Sequence, residues 1–274
     1  MNIKDAKDCL GGPAVVQEQF IPDHLFLYVT RGAISCYDGR KSDTYRQGDY
    51  GLVRKNRLAK YHNDRESGFE RIFFCFDEPF LRTFQQKYKL QPVKFESPDT
   101  FIRLKPAAII TDFIASLKPY MDNSGKISTA FEDLKYEELL LILLQEHPGL
   151  AGLFFDYASP QKINLEEFMQ RNFRFNVRLE RFAYLTGRSL SAFKRDFKAV
   201  FHAAPGRWLM RKRLEEAYAL IENEGKKASE IYLDLGFEDL SHFSSAFKNL
   251  FGLRPTALAA QKMNRADYKK KRAK

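Results

Sequence analysis

The strongest constraint on how this chain folds is a repeat about fifty residues long in its C-terminal half. Residues 190–205 read LSAFKRDFKAVFHAAP and residues 240–255 read LSHFSSAFKNLFGLRP. Both fit L-S-x-F-x-x-x-F-K-x-x-F-x-x-x-P. Leu190, Ser191, Phe193, Phe197, Lys198, Phe201 and Pro205 match Leu240, Ser241, Phe243, Phe247, Lys248, Phe251 and Pro255. Phenylalanines four apart fall on one stripe of a helix, because 3.6 residues make a turn. The stripe must be buried, which leaves the opposite side smooth and polar. A lone helix of this kind would be an ordinary amphipathic core element; its repetition argues for more.

Each copy follows a short helical segment ending in glycine: VRLERFAYLTG (177–187) and ASEIYLDLGF (228–237). Gly187 and Gly236 suit helix C-termini, where a positive φ is cheap without a Cβ. Each unit is therefore expected to be a helix-turn-helix, present twice. Between them lies PGRWLMRKRLEEAYALIENEG (205–225), with Pro205 fitting a first helical turn and Gly225 a stop. Met210, Leu214, Ala217 and Ile221 form one apolar stripe, and part of the run Arg211, Lys212, Arg213 must face the interior. A helix of about 18 residues spans roughly 27 Å. Such a rod can hold two recognition helices about one DNA turn, ~34 Å, apart.

Charge separates the halves. Residues 161–274 hold 24 Lys+Arg against 13 Asp+Glu, a net of +11, whereas residues 1–160 hold 21 against 22, a net of −1. Cationic charge gathered around a helix-turn-helix suits a polyphosphate, since each neutralised phosphate releases counterions. The tail KKKRAK (269–274) is discounted as a non-specifically sticky end.

With these residues in hand, 162–261 resembles the DNA-binding domain of AraC/XylS-type bacterial transcription regulators. In the second unit Ile231, Gly236, Phe237, Ser241, Phe243, Phe247, Lys248, Phe251, Gly252 and Pro255 fit the family pattern. Tyr232 replaces a usual small residue and Thr256 a common serine; the first unit fits more loosely. The resemblance implies that bases are read from the side away from the phenylalanines: Ser191, Lys194 and Arg195, then Ser241, His242 and Ser245. The chemistry agrees, because Arg195 can donate two hydrogen bonds to guanine and short hydroxyls keep the second helix slim. Arg178, Arg188, Lys226 and Lys248 are expected on phosphates, which position without specifying.

Residues 20–100 have another texture. HLFLYVTRGAISCYDG (24–39) and FERIFFCFDEPF (69–80) are rich in Val, Ile, Tyr and Phe, and are interrupted by turn residues such as Asp38-Gly39. Antiparallel strands in a sandwich or small barrel are expected. YRQGDYGLVRKNRLAKYHN (45–63) resembles the strand–Gly-Asp–strand passage of cupin-type domains, which AraC-type regulators often carry ahead of their DNA-binding part. Phe26, Tyr28, Tyr45 and His62 are candidates to line an effector pocket in that barrel, against the ordinary role of core packing. FEDLKYEELLLILLQEH (131–147) is expected to be a heavily buried helix that caps the barrel or joins a mate in a homodimer.

The expected architecture is thus α+β and multidomain. A cupin-like β-barrel with flanking helices spans 1–148, a linker 149–161, and an all-α domain with two helix-turn-helix units joined by a linker helix 162–262; a basic tail follows at 263–274. The apolar residues Leu153, Phe154, Phe155 and Tyr157 suggest that the linker packs on one domain.

His24, His62 and His147 give the first half no H-x-H pair, and Cys9, Cys36 and Cys75 make no zinc pattern or disulfide framework. No metal, cofactor or catalytic residue is expected. The start, MNIKDAKDCLGG, is no secretory signal and no run is long enough to span a membrane, so a cytoplasmic location is expected. The function expected is a sequence-specific DNA-binding transcription regulator, usually an activator, with double-stranded DNA, RNA polymerase, a homodimeric mate and a small-molecule effector as partners. The alternatives are a cupin-fold enzyme with a nucleic-acid-binding tail, and a regulator controlled by a protein partner rather than a ligand.

Overall fold

The computed structural model describes residues 19–63, 68–91, 93–95, 97–121 and 127–261; Cys9 and the basic tail expected at 263–274 lie outside them. The chain divides into two compact units, residues 1–159 and 160–274.

In the first unit, strands rich in aromatic and β-branched residues pair antiparallel throughout. They are β1 (Phe20–Ile21), β2 (His24–Arg31), β3 (Ala33–Tyr37), β4 (Ser42–Arg46), β5 (Tyr50–Val53), β6 (Arg57–Leu58), β7 (Lys60–Asn63), β8 (Glu70–Phe76) and β9 (Phe101–Arg103). One sheet has the order β8-β2-β5-β9, a second β4-β3-β7, and β1 pairs with β6. The Asp38-Gly39 hairpin joins β3 to β4, with the Asp38 carboxylate accepting from the amides of Arg40 (2.9 Å) and Lys41 (3.0 Å). Among the described residues the sheets do not close on themselves, so the architecture is two facing sheets rather than a complete barrel.

The period of two along a strand divides β2 between two cores. Leu25, Leu27 and Val29 face the second sheet and pack with Ile34, Cys36, Tyr45, Val53 and Phe101. Phe26 and Tyr28 face the other way, into a layer of helices. Those helices are α1 (Glu78–Tyr88), α2 (Ala108–Ser116), α3 (Thr129–Glu146) and α4 (Ala151–Phe154). Helix α3 buries Tyr136, Leu139, Leu140, Ile142 and Leu143 but leaves Phe131, Leu134 and Leu141 exposed, so it is less enclosed than its composition suggests. Leu150, Leu153, Phe154 and Phe155, within the stretch expected as a linker, belong to the core of this unit.

The ring of His24, 2% exposed, sits edge-on to Phe154 at 5.6 Å. Its Nδ1 accepts a long bond from the Lys55 amide (3.4 Å), the Leu153 backbone lies close to the ring, and Nε2 makes no hydrogen bond of ordinary geometry among the described residues. Burial first, and then the charges of Lys55, Arg54 and Arg57, push its pKa down to about 3.

The second unit is all helical: α5 (Leu165–Asn172), α6 (Leu179–Leu185), α7 (Leu190–Phe201), α8 (Pro205–Ala219), α9 (Ala228–Ile231) and α10 (Leu240–Phe251). Helix α8 continues through a π-helical turn at Leu220–Glu224, giving a rod from 205 to 224. Ser189 caps α7 by accepting from the Ala192 amide (3.3 Å), and Asp239 caps α10 by accepting from the His242 amide (2.6 Å). The turns before both helices need glycine. Gly187 has φ +66° and Gly236 φ +83°, and a Cβ at Gly236 would fall 2.8 Å from the Arg174 carbonyl oxygen.

Helix α8 receives both aromatic stripes. Phe197 and Phe201 of α7 pack on Trp208, with centroids at 5.5 and 4.5 Å. Phe247 and Phe251 of α10 pack on Tyr218, at 6.2 and 4.9 Å. Of the three cations in the middle of α8, Arg213 is the one that turns deeply inward. It donates through Nε to the Phe173 carbonyl (2.7 Å), through Nη1 to Gly236 (2.9 Å) and through Nη2 to Phe175 (2.7 Å). Burial lowers its pKa to about 10, so it stays charged at neutral pH.

Two outcomes are expected. Arg213→Ala orphans three carbonyls and should lower the stability of the second unit by ~3 kcal/mol or more, measured by urea denaturation. For His24, the depressed folded pKa means that the unfolded chain binds the extra proton between pH 6.5 and about 3. Stability therefore falls as pH falls through that window, by about 2 kcal/mol at pH 5. The difference in denaturation midpoint between the native chain and His24→Phe should change with pH accordingly, and a pH-independent difference would contradict the assignment.

Candidate nucleic-acid interface

With the phenylalanine stripes buried on α8, the free sides of α7 and α10 are determined. Ser191, Lys194 and Arg195 on α7 and Ser241, His242 and Ser245 on α10 are all exposed. At 100° per residue Ser191, Arg195 and Lys198 share one face of α7, as Ser241, Ser245 and Lys248 share one face of α10. His242 is turned away from that face, its ring edge-on to Phe237 at 5.9 Å.

The four residues expected on phosphates divide. Arg178, Lys226 and Lys248 are exposed. Arg188 is not available: its side chain is 8% exposed. It donates to the carbonyls of Ile163 (3.0 Å) and Thr186 (2.7 Å) and to Asp196 Oδ2 (3.1 Å). It staples the turn before α7 to the helix itself and is a structural residue.

Beside α10 an open groove of about 830 Å³ runs between the helix, the start of α9 and the helical turns at 255–261. Lys227, Lys248 and Arg254 supply positive charge, and Ser229, Ser241, Ser244, Ser245, Asn249 and Thr256 supply short hydrogen-bonding groups. Lys227, Ser229, Asn249, Arg254 and Thr256 are additions to the candidates named from sequence, whereas Ser244 is one of the three serines (241, 244 and 245) expected to keep the helix slim and offer short donors. The repeat also signals Lys198, as the mate of Lys248. Nothing in the repeat marks Arg254, whose counterpart is Ala204.

The residues expected to line an effector pocket are not brought together. Phe26 and Tyr28 face the helical layer, Tyr45 lies in the core between the sheets, and His62, opposite Ser35 in the register, is exposed. Strand alternation separates residues that composition groups. Among the described residues, no three His, Cys, Asp or Glu side chains are placed to hold a metal, and no helix is long and apolar enough to cross a membrane.

Comparison with known proteins adds two family matches. Residues 24–153 match the ExsA N-terminal regulatory domain and residues 182–261 match a helix-turn-helix domain. The virulence regulon transcriptional activator VirF of Yersinia enterocolitica is 24% identical over 85% of this chain and 88% of that protein. The thermoregulatory protein LcrF of Yersinia pestis is 26% identical over the same shares. A solved structure of a transcriptional regulator with an AraC-type DNA-binding domain, from Chromobacterium violaceum, is 28% identical over 36% of this chain and 88% of its own, with a TM-score of 0.33.

Arg188→Ala should lower the thermal midpoint of the second unit, corresponding to about 2 kcal/mol, and leave the salt dependence of DNA binding as it was. A fall of about 0.9 in the salt slope would mean that Arg188 does reach a phosphate.

Proposed function

This chain belongs to the AraC/XylS-type bacterial DNA-binding transcription regulators, and from that membership we propose that it grips one operator with both helix-turn-helix units and activates transcription there. The observation that carries this reading is the pair of exposed polar faces on α7 and α10, each backed by a phenylalanine stripe on the same helix α8. The rod from 205 to 224 is about 30 Å long, close to one turn of B-DNA. Both recognition helices then enter successive major grooves from one side. Arg195 and Lys194 read guanine edges, Ser241 and Ser245 make the lighter contacts of the second half-site, and Ser191 supports the first, whereas His242, turned toward Phe237, stands to the side of that face. Arg178, Lys226 and Lys248 hold phosphates, joined by the groove residues Lys227 and Arg254.

The first unit is the regulatory part in this reading, its two facing sheets taking the place of the cupin-like barrel expected from sequence. Self-association through α3, where Phe131, Leu134 and Leu141 are 41, 63 and 40% exposed, is favoured over a ligand held by Phe26, Tyr28, Tyr45 and His62. A regulator named as an activator among its relatives suggests contact with RNA polymerase as the output. Nothing favours the enzyme alternative, since the relatives named are regulators of transcription.

Arg195→Ala should weaken binding to the selected operator by roughly 1–3 kcal/mol while leaving random DNA unchanged. Lys226→Ala should lower the salt slope by about 0.9 with the sequence preference intact. Titrations at several salt concentrations, on operator and on random duplex, separate the two; equal loss on both duplexes for Arg195→Ala would contradict the base-reading role.

A further inference from the structure

The two recognition helices share a backbone pattern but differ in one contact. On α7, Asp196 accepts from Arg195 at Oδ1, through Nε (3.2 Å) and Nη2 (3.0 Å). Its other oxygen, Oδ2, accepts from Arg188 Nε at 3.1 Å. Arg188 is in turn fixed by the carbonyls of Ile163 and Thr186. Exposure falls along this series: 77% for the Arg195 side chain, 23% for Asp196 and 8% for Arg188. Lys162 Nζ stands 3.9 Å from Oδ2 as a further, looser cation. On α10 the corresponding positions are Ser245 and Ala246, so no such series exists there.

We propose that Asp196 is a positioning residue that holds Arg195 for guanine, making the first helix-turn-helix the principal source of sequence discrimination. This rests on the reading that α7 enters a major groove. A guanidinium has two edges able to make paired hydrogen bonds, one formed by Nε and Nη2 and the other by Nη1 and Nη2. Asp196 occupies the Nε edge, so the outer edge keeps the donors that match guanine O6 and N7. The carboxylate therefore supports base reading rather than competing with it.

An Arg195 without Asp196 would be free to swing to a neighbouring phosphate. It would gain affinity there with no sequence preference. Restraint removes that option and reduces the ordering cost of the correct contact. The carboxylate remains charged for this role: the hydrogen bonds from Arg188, and next from Arg195, hold its pKa below the usual carboxylate range.

The test uses the full chain and begins with selection of binding sites from a randomised duplex pool by the native protein. Binding is then measured to the selected site and to every single base-pair change in it. Arg195→Ala identifies the guanine concerned by flattening preference at one base pair. Asp196→Ala and Asp196→Asn should each lower preference at that same base pair by about 3- to 10-fold, leaving other positions and the salt slope unchanged. In the Arg195→Ala background the Asp196 change should have no further effect on that preference.

Asp196→Asn guards against a folding defect: its amide oxygen can still accept from Arg188, while its NH2 cannot accept from Arg195. The thermal midpoint of each variant reports whether the fold is kept. If Asp196→Ala fails to fold, the asparagine variant decides. An unchanged guanine preference in the folded variants, a uniform loss over all positions, or an equal loss in the Arg195→Ala background overturns the proposal. A native protein that selects no motif overturns the operator reading and this proposal with it. A motif whose guanine is indifferent to Asp196 overturns this proposal alone.

Discussion

The C-terminal unit depends on one buried cation. Arg213 lies on helix α8 and is bound to three main-chain carbonyls, two in the segment that leads into the first helix-turn-helix and one in the turn of the second. A buried guanidinium with its donors satisfied by fixed backbone is tolerable; one with partners missing is costly. That cost links the two helix-turn-helix motifs of this unit through a single side chain. The neighbouring ion pair of Arg174 with Glu216, and the bond from Asn176 to Glu238 (3.0 Å), connect the same segments. Trp208 and Tyr218 complete the scaffold by giving each phenylalanine stripe its own ring on α8. The faces offered to DNA are what remains once these contacts are made.

On that symmetrical frame the chemistry is unequal. Helix α7 presents Lys194, Arg195 and Lys198, long cationic donors suited to guanine and phosphate. Helix α10 presents hydroxyls and borders an open groove lined by Lys227, Lys248 and Arg254. The proposed operator complex then divides the labour, with discrimination at the first half-site and a phosphate grip at the second. Arginine plays two opposite parts: Arg213 and Arg188 build the frame, whereas Arg195 is left outside it. The difference lies in the carbonyls around each residue, since the side-chain type is the same.

That difference explains how much was legible in the sequence. The ring spacing at 193, 197, 201 and 243, 247, 251, with glycines at 187 and 236, was enough to place both helix-turn-helix units and their exposed sides. Those signals are local and periodic. The burial of Arg188 was not legible, because its partners at Ile163 and Thr186 are main-chain oxygens that any residue could supply. Arg254 and Lys227 were missed for a different reason: they stand outside the matched positions of the repeat, and only the folding of the segments on either side of α10 brings them to its groove. In the first unit, strand composition indicated the sheets but not the facing of Phe26 and Tyr28. Only the second layer, the helices from α1 to α4, decides which side of β2 is the inside of which core.

The central claim is that α8 presents two recognition helices to one face of a single duplex. Hydroxyl-radical footprinting of the full chain on a selected operator tests it most directly. The account predicts two protected stretches about one helical turn apart, roughly 10 base pairs, on the same side of the DNA. Protection of a single stretch, or of two stretches on opposite sides of the duplex, would contradict it.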